Sequence, residues 1–361
     1  MKILILADIQ EHGKKCAEGL LNLGHEVFYA YPKGMVASCV TIDNRVTLLE
    51  LPYGGKAGYF LNYFALKKLL KKYRPDVMHV HYAAGFGLLS RLSGFHPIVL
   101  SCYGSDIFEF PHLNRFNYWL LKDILNHADV LNSTSHAMAE EVRLYLKDKN
   151  KIIDEIPFGI NLDLFKPKER KREDDTKIIG FIKTLRPIYD IPLLLQAFEL
   201  VCRKTGGEQP MLQLYGDGPL LPELKTMAVK LRIIENVHFM GRVANEDVPR
   251  ALAEMDVFVN SSRQESFGVN VLEAMACRVP VVATDCVGPK EIIENGKSGI
   301  ILKDRNPETM ADAIIQILSN ENLRNQLKKE ARLRVEEKYD WSKNVILLEK
   351  SLERVLISKS R

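Results

Sequence analysis

Two carboxylates set around a small-residue turn are the groups in this sequence whose types and spacing point to chemistry. Residues 263–284 read RQESFGVNVLEAMACRVPVVAT, with Glu265 ahead of the turn Ser266, Phe267, Gly268 and with Glu273 beyond it. Residues 268–277 hold Leu272, Ala274, Met275 and Ala276 without a proline, and Pro280 follows within a β-branched run at 279–282. The stretch therefore reads turn, helix, strand. A helix start offers unpaired N–H groups and the positive end of its dipole, and Gly268 lets an anion approach the backbone of Phe267, Val269 and Asn270. The expected arrangement is a phosphate seat with an acid on each side. Were the span from Glu265 to Glu273 helical throughout, the acids would lie about 12 Å apart at roughly 1.5 Å per residue. Glycoside hydrolysis needs carboxyl groups only about 5 to 10 Å apart, so the spacing favours holding a sugar, a diphosphate and a ribose laid end to end.

The run ESFGVNVLEAMAC, with PVVAT behind it, resembles the E-x7-E signature of the retaining glycosyltransferases of family 4. That family has the GT-B architecture, two Rossmann-like α/β domains facing each other across a cleft. The resemblance implies that Glu265 contacts the donor sugar hydroxyls, Glu273 the ribose, and the amides of Phe267, Gly268, Val269 and Asn270 the diphosphate. It implies no side-chain nucleophile, since the departing phosphate oxygen takes the acceptor proton. Position and charge stabilisation are then the protein's contribution. The linker IPFGINLDLFKP at 156–167 resembles the family's I-P-N-G-V-D crossing, DVLNSTS at 129–135 its A-D strand, and GPKEIIENGKSG at 288–299 the stretch behind the signature.

Three segments depart from the family's pattern. Its phosphate-holding Arg and Lys fall on Thr184 and Tyr189, leaving Lys183 and Arg186 as the cations at that strand end, to which the catalytic charge is reassigned. The loop after the first strand reads DIQEHG, with Gly13 as its one glycine beside the phosphates. On the acceptor side, SCYGSD at 101–106 places Tyr103 where the family has histidine, followed by Asp106, with His79 and His81 on a neighbouring strand. Gly216, Gly218, Arg242 and Val243 complete the donor side, because ligands of doubly wound sheets sit at carboxyl ends of strands.

The elements that must position these residues alternate strand and helix. Apolar runs at 3–7, 77–80 and 98–100 read as strands buried on both faces, and the order repeats from 177–182 through 193–203, 211–215, 220–231 and 237–240. The pattern predicts two parallel sheets with right-handed crossovers. The expected domains are 1–165 on the acceptor side, 166–340 on the donor side, and a helix at 341–361 crossing back to the first, with Leu347, Leu348, Leu352 and Val355 as its stripe. The charged run KERKREDD at 168–175 reads as interdomain loop. Residues 61–74 read as one basic amphipathic helix with an apolar stripe of Leu61, Phe64, Leu69 and Tyr73, either packed on the sheet or lying on anionic lipid.

At 361 residues, 46% hydrophobic and 27% charged, the chain has an ordinary globular composition large enough for two domains. A net charge of +4 argues against a nucleic-acid binder. The six cysteines Cys16, Cys39, Cys102, Cys202, Cys277 and Cys286 show no C-x-x-C pairing and read as reduced, buried thiols of a cytoplasmic protein. Apolar runs are too short to span a membrane, so contact with it would be peripheral, at the inner face. The expected function is a hexosyltransferase that is retaining, metal-independent and cofactor-free, moving sugar from a nucleotide sugar to a glycan or lipid-linked acceptor in cell-surface polysaccharide or glycolipid synthesis. Metal independence follows from the absence of a D-x-D pair to hold a divalent ion. The rivals are a nucleotide-sugar epimerase or hydrolase, and a non-catalytic accessory subunit, which the altered clamp would suit.

Overall fold

Short apolar runs form the strands, those at the centre of each sheet buried along their length, and most are followed by a helix that returns the chain to the same sheet. The computed structural model describes residues 1–37, 40–171, 174–206 and 210–357. It divides into two units, Met1–Phe158 with Ser342–Arg361, and Gly159–Trp341.

In the first unit the strands are β1 (Lys2–Leu6), β2 (Glu26–Pro32), β3 (Thr47–Leu51), β4 (Val77–His81), β5 (Ile98–Cys102), β6 (Val130–Ser133) and β7 (Ile153–Glu155). They pair in parallel in the order β3-β2-β1-β4-β5-β6-β7. The second unit holds β8 (Ile178–Ile182), β9 (Met211–Tyr215), β10 (Val237–Gly241), β11 (Val257–Asn260), β12 (Val281–Thr284) and β13 (Ile300–Leu302). Their order is β10-β9-β8-β11-β12-β13, again parallel. Each is a doubly wound Rossmann-like sheet whose strand order reverses once, at β1/β4 and at β8/β11. The loops leaving those four strands are where such sheets hold ligands.

Three local differences from the sequence reading have physical reasons. The division falls at Phe158/Gly159 rather than 165/166, because Ile160 exchanges backbone bonds with Tyr339 and Trp341 and the Phe165 carbonyl accepts from Arg332. The helix expected at 61–74 is two helices, Gly55–Leu61 and Tyr63–Tyr73. They meet at buried Asn62, whose amide exchanges bonds of 3.1 and 2.7 Å with the Tyr53 backbone. The break turns Leu61 and Phe64 outward, Phe64 to 79% exposure, and leaves Leu66 as the buried anchor. Gly13 lies inside the helix Glu11–Asn22 and not in a loop. Of the charged run at 168–175, residues 172 and 173 lie outside the described residues.

The helix Trp341–Ile357 packs on the first unit's sheet edge. Leu348, Leu352 and Val355 are buried and Leu347 is exposed. Ser351 donates to Asn132 of β6 at 2.8 Å, Asn344 to the Pro157 carbonyl at 3.1 Å, and Arg354 pairs with Asp154 of β7. Cys16, Cys102, Cys277 and Cys286 are free and buried and Cys202 is free and half-buried, whereas Cys39 lies outside the described residues.

Candidate active site

Glu265 sits in the loop between β11 and the helix Val269–Ala276. That helix starts at Val269, so residues 265–268 are irregular and the all-helical separation of the two acids does not hold. The turn depends on Gly268, whose φ of 100° a side chain would strain, and Val271 and Leu272 donate to its carbonyl. Helix geometry leaves the amides ahead of them without intrahelical acceptors. Asn270 ties this helix start to both switch-point strands: its Nδ2 donates to the Ile182 carbonyl at 3.3 Å and its Oδ1 accepts from Asn260 at 3.4 Å. Phe267 is buried, with its ring 6.2 Å from that of Tyr339, and is thus an anchor whose backbone alone can meet a ligand. Val269 is exposed, and Glu273 is half-buried on the helix between buried Leu272 and Ala274.

Lys183, the residue after β8, forms an ion pair with Glu265, and its ammonium lies 4.3 Å from the Tyr189 ring centroid. Side-chain exposures of 18% for Lys183 and 13% for Glu265 place the pair under partial cover, where charges interact more strongly than in water. The structure does not bring Arg186 to Glu265; it is exposed, its backbone opening the turn Pro187–Tyr189. Arg242 is also peripheral, with an 81% exposed side chain 3.6 Å from Asp217, and Val243 beside it is half-buried.

Gly216 and Gly218 serve packing. A Cβ on Gly216 would strike the Lys183 carbonyl, and one on Gly218 the Leu185 carbonyl. Their absence lets the 183–185 backbone dock on the turn after β9, with Lys183 N–H on the Tyr215 carbonyl and Leu185 N–H on the Asp217 carbonyl, both at 3.0 Å. Gly216 also has φ 136°. Gly216→Ala is therefore expected to cost about 2 to 4 kcal/mol, read as a lower urea midpoint of the second unit. An unchanged midpoint would show that Lys183 is not seated by this contact.

In the first unit the switch point gathers a different set. His79 of β4 bonds Ser101 at 2.8 Å and His81 at 3.2 Å, and both histidines are buried. Burial lowers His79 to about 3. It also pushes His81 well below the ordinary range, with the neighbouring His79 and His12 adding to the effect. Tyr103 bonds His12 at 3.1 Å, and the His81 and Phe158 rings each stand 5.2 Å from its own. Burial raises the Tyr103 hydroxyl well above its usual range. Asp106 is wholly buried and accepts the N–H groups of Ala83 at 2.8 Å, Gly104 at 2.8 Å and Tyr103 at 3.1 Å. It shapes the loop that presents Tyr103 rather than facing an acceptor. At Gly13 a Cβ would overlap the Tyr29 hydroxyl, which donates to the Asp8 carbonyl at 2.7 Å, so the lack of a side chain there admits a tyrosine.

His12 was missed by sequence reasoning; the signal was its place at the start of the helix Glu11–Asn22, just after a first Rossmann strand, where ligand-facing residues fall. Asp190, Arg263 and Arg305, which bind the Glu265 loop, were also missed, since pairing across 115 residues leaves no periodic mark. Among the described residues no three of His, Cys, Asp and Glu group so as to hold a metal ion, and no helix is long and apolar enough to cross a membrane.

The family model of the group 1 glycosyl transferases matches residues 164–334, and one described as glycosyl transferase 4-like matches residues 2–135. N-acetyl-alpha-D-glucosaminyl L-malate synthase of Bacillus anthracis is 30% identical over 285 residues, covering 75% of this chain and 72% of that protein. The putative teichuronic acid biosynthesis glycosyltransferase TuaC of Bacillus subtilis is 26% identical over 288 residues, 78% of this chain and 71% of its own. In fold, HepE of Anabaena, solved in complex with UDP, superposes with a TM-score of 0.81 at 17% identity over 98% of this chain and 100% of that one.

Proposed function

Because the chain belongs to the group 1 glycosyl transferases and is a glycosyltransferase, we propose that it is a retaining, metal-independent hexosyltransferase. Its donor is a nucleotide diphosphate sugar and its acceptor a hydroxyl of a cell-surface glycan or a lipid-linked precursor. The observation that carries this reading is the Lys183–Glu265 ion pair at the start of the helix Val269–Ala276, on the switch point of the second sheet. A carboxylate there can hold sugar hydroxyls, the helix start can receive phosphate, and Lys183 is a cation within reach of both. Charge on the leaving diphosphate is then met by the helix start and Lys183 without a divalent ion or a further cofactor. A relative named for teichuronic acid biosynthesis and a structural neighbour solved with UDP support a wall polymer and a uridine nucleotide sugar as the classes to try first.

The test is a panel of nucleotide sugars, scored by thermal shift and by nucleotide release with and without glycan acceptors. One donor is expected to stabilise the protein and to release nucleotide only with acceptor, at an unchanged rate in EDTA. Release without acceptor would point to a hydrolase or epimerase. Activity lost in EDTA and restored by Mg²⁺ would end the metal-independent reading, and absence of both binding and turnover would favour the accessory subunit.

The proposed setting is cytoplasmic, at the inner face of a membrane reached peripherally through residues 61–74. Exposed Phe60, Leu61 and Phe64 stand beside Lys67 and Lys68. A second group, Leu113, Phe116 and Trp119, lies on and before the helix Arg115–His127, with the Lys122 ammonium 5.3 Å from the Trp119 ring centroid. Apolar side chains with cations between them suit an anionic bilayer. Cosedimentation with phosphatidylglycerol vesicles is expected, weakened several-fold in 0.5 M salt as about one Debye length shrinks below 5 Å, and reduced by Phe64→Ser. Equal binding to neutral phosphatidylcholine vesicles would refute the electrostatic part.

A further inference from the structure

The loop carrying Glu265 is fixed from behind by a buried acid and two arginines to which no role has yet been given. Arg305, between β13 and the helix Pro307–Ser319, donates through Nη1 to the Ser262 carbonyl at 2.6 Å and through Nη2 to the Ser261 carbonyl at 3.1 Å. The same Nη2 pairs with Asp190. Asp190 is 6% exposed, and its other carboxylate oxygen accepts from Arg263 at 3.2 Å. Its φ of 43° is a left-handed conformation that a residue with a side chain keeps only where its surroundings hold it. Two further bonds join the same segments: Ser261 Oγ donates to the Tyr189 carbonyl and Arg263 N–H to the Ile188 carbonyl, each at 2.7 Å.

These contacts stitch the loop after β8, residues 183–190, to the loop after β11, residues 261–265. The Lys183–Glu265 pair closes the other end of the same seam. A guanidinium suits the hub, because one rigid fork serves two carbonyls and a carboxylate at once, which an ammonium on a flexible stem cannot reproduce.

We propose that Asp190 and Arg305 are positioning residues for sugar transfer: they hold the Glu265 carboxylate in register with Lys183 through the loop backbone, without touching the donor. The proposal rests on the reading of Glu265 as the donor-sugar contact, and its test separates the two. Full-length wild type, Arg305→Lys and Asp190→Asn are compared by hydrogen exchange without ligand, and by kinetics with whichever panel donor turns over.

Exchange at 183–190 and 261–268 is expected to rise about tenfold in both variants, with the sheet strands unchanged. With the donor KM within about twofold, kcat is expected to fall about tenfold to a hundredfold, the range for a displaced catalytic group. In a Glu265→Gln background, Arg305→Lys is expected to change kcat by less than about twofold, because a residue acting through Glu265 has nothing left to position. Multiplying losses in the double variant, or unchanged exchange at 261–268, would overturn the proposal. Raised exchange at the two loops in a protein that turns over no donor would support the stitching and overturn the transferase reading instead.

Discussion

Glu265→Gln is expected to lower kcat by about a hundredfold or more while the donor KM stays within a few-fold. The substitution keeps the shape of the side chain and removes its charge. Glu265 lies under partial cover against Lys183, so its charge is already ordered before a donor arrives and needs no rearrangement as the glycosidic bond breaks. Interactions that strengthen as the sugar gains positive character act on kcat, whereas a grip on an unreacting part of the donor acts on KM. Glu273, half-buried on the helix beyond the turn, belongs to the second kind under this reading. Glu273→Ala is accordingly expected to raise KM about tenfold, the worth of a charge-assisted hydrogen bond. Full activity in both variants would remove the pair from the site, and a KM effect in Glu265→Gln with kcat unchanged would reverse the two roles.

Acid is expected to unfold the first unit selectively. Burial lowers His79 to about 3 and holds His12 and His81 well below the ordinary 6.5, with Lys15 adding to the effect at His12. As pH falls below 6.5 the unfolded chain takes up protons that the folded unit refuses. Stability is therefore complete above that pH and is lost toward the folded values. His79 alone removes about 1.4 kcal/mol per pH unit across this window, and His12 and His81 steepen the slope. Asp106 acts in the opposite sense, since burial raises its carboxyl and the folded unit holds that proton more tightly than the unfolded chain. Burial likewise lowers His127 and raises Asp8, and four histidines against two aspartates leave acid destabilising. The second unit contains a single histidine, exposed His238, and serves as the internal reference. Urea midpoints followed by peptide-resolved exchange at pH 7 and pH 5 measure the difference. Equal shifts in both units would remove the histidine cluster as the cause, and His79→Gln is expected to flatten the slope in the first.

The parts of this molecule visible in its sequence are those fixed by local pattern. Uninterrupted apolar runs gave the strands, and the proline-free segment behind Gly268 gave the helix Val269–Ala276, because neighbours in sequence decide both. Where a side chain meets a partner far along the chain, the pattern is silent. Asn62 breaks a basic helix because its amide finds Tyr53, and nothing in the 61–74 periodicity announces it. Gly13 reads as a phosphate glycine, and the sequence does not show that its lack of a side chain admits Tyr29 from the next strand. Gly216 and Gly218 likewise read as ligand-facing, yet what approaches them is the backbone of residues 183–185. The cation reassignment shows both sides: Lys183 meets Glu265 because each leaves a switch-point strand, while Arg186, three residues on, has already turned outward.

The discontinuity of the first unit has a consequence for biosynthesis. Gly159–Trp341 is one unbroken stretch, so its sheet can close as soon as β13 and the helices after it have left the ribosome. The first unit, begun earlier, still lacks the helix that buries Leu348, Leu352 and Val355 and donates to the Oδ1 of Asn132 on β6. Domains usually complete in the order in which they are made; here the later-born unit can finish first. The earlier one waits through some 180 further residues with an uncovered sheet edge, the interval in which a chaperone or a neighbouring nascent chain would find it.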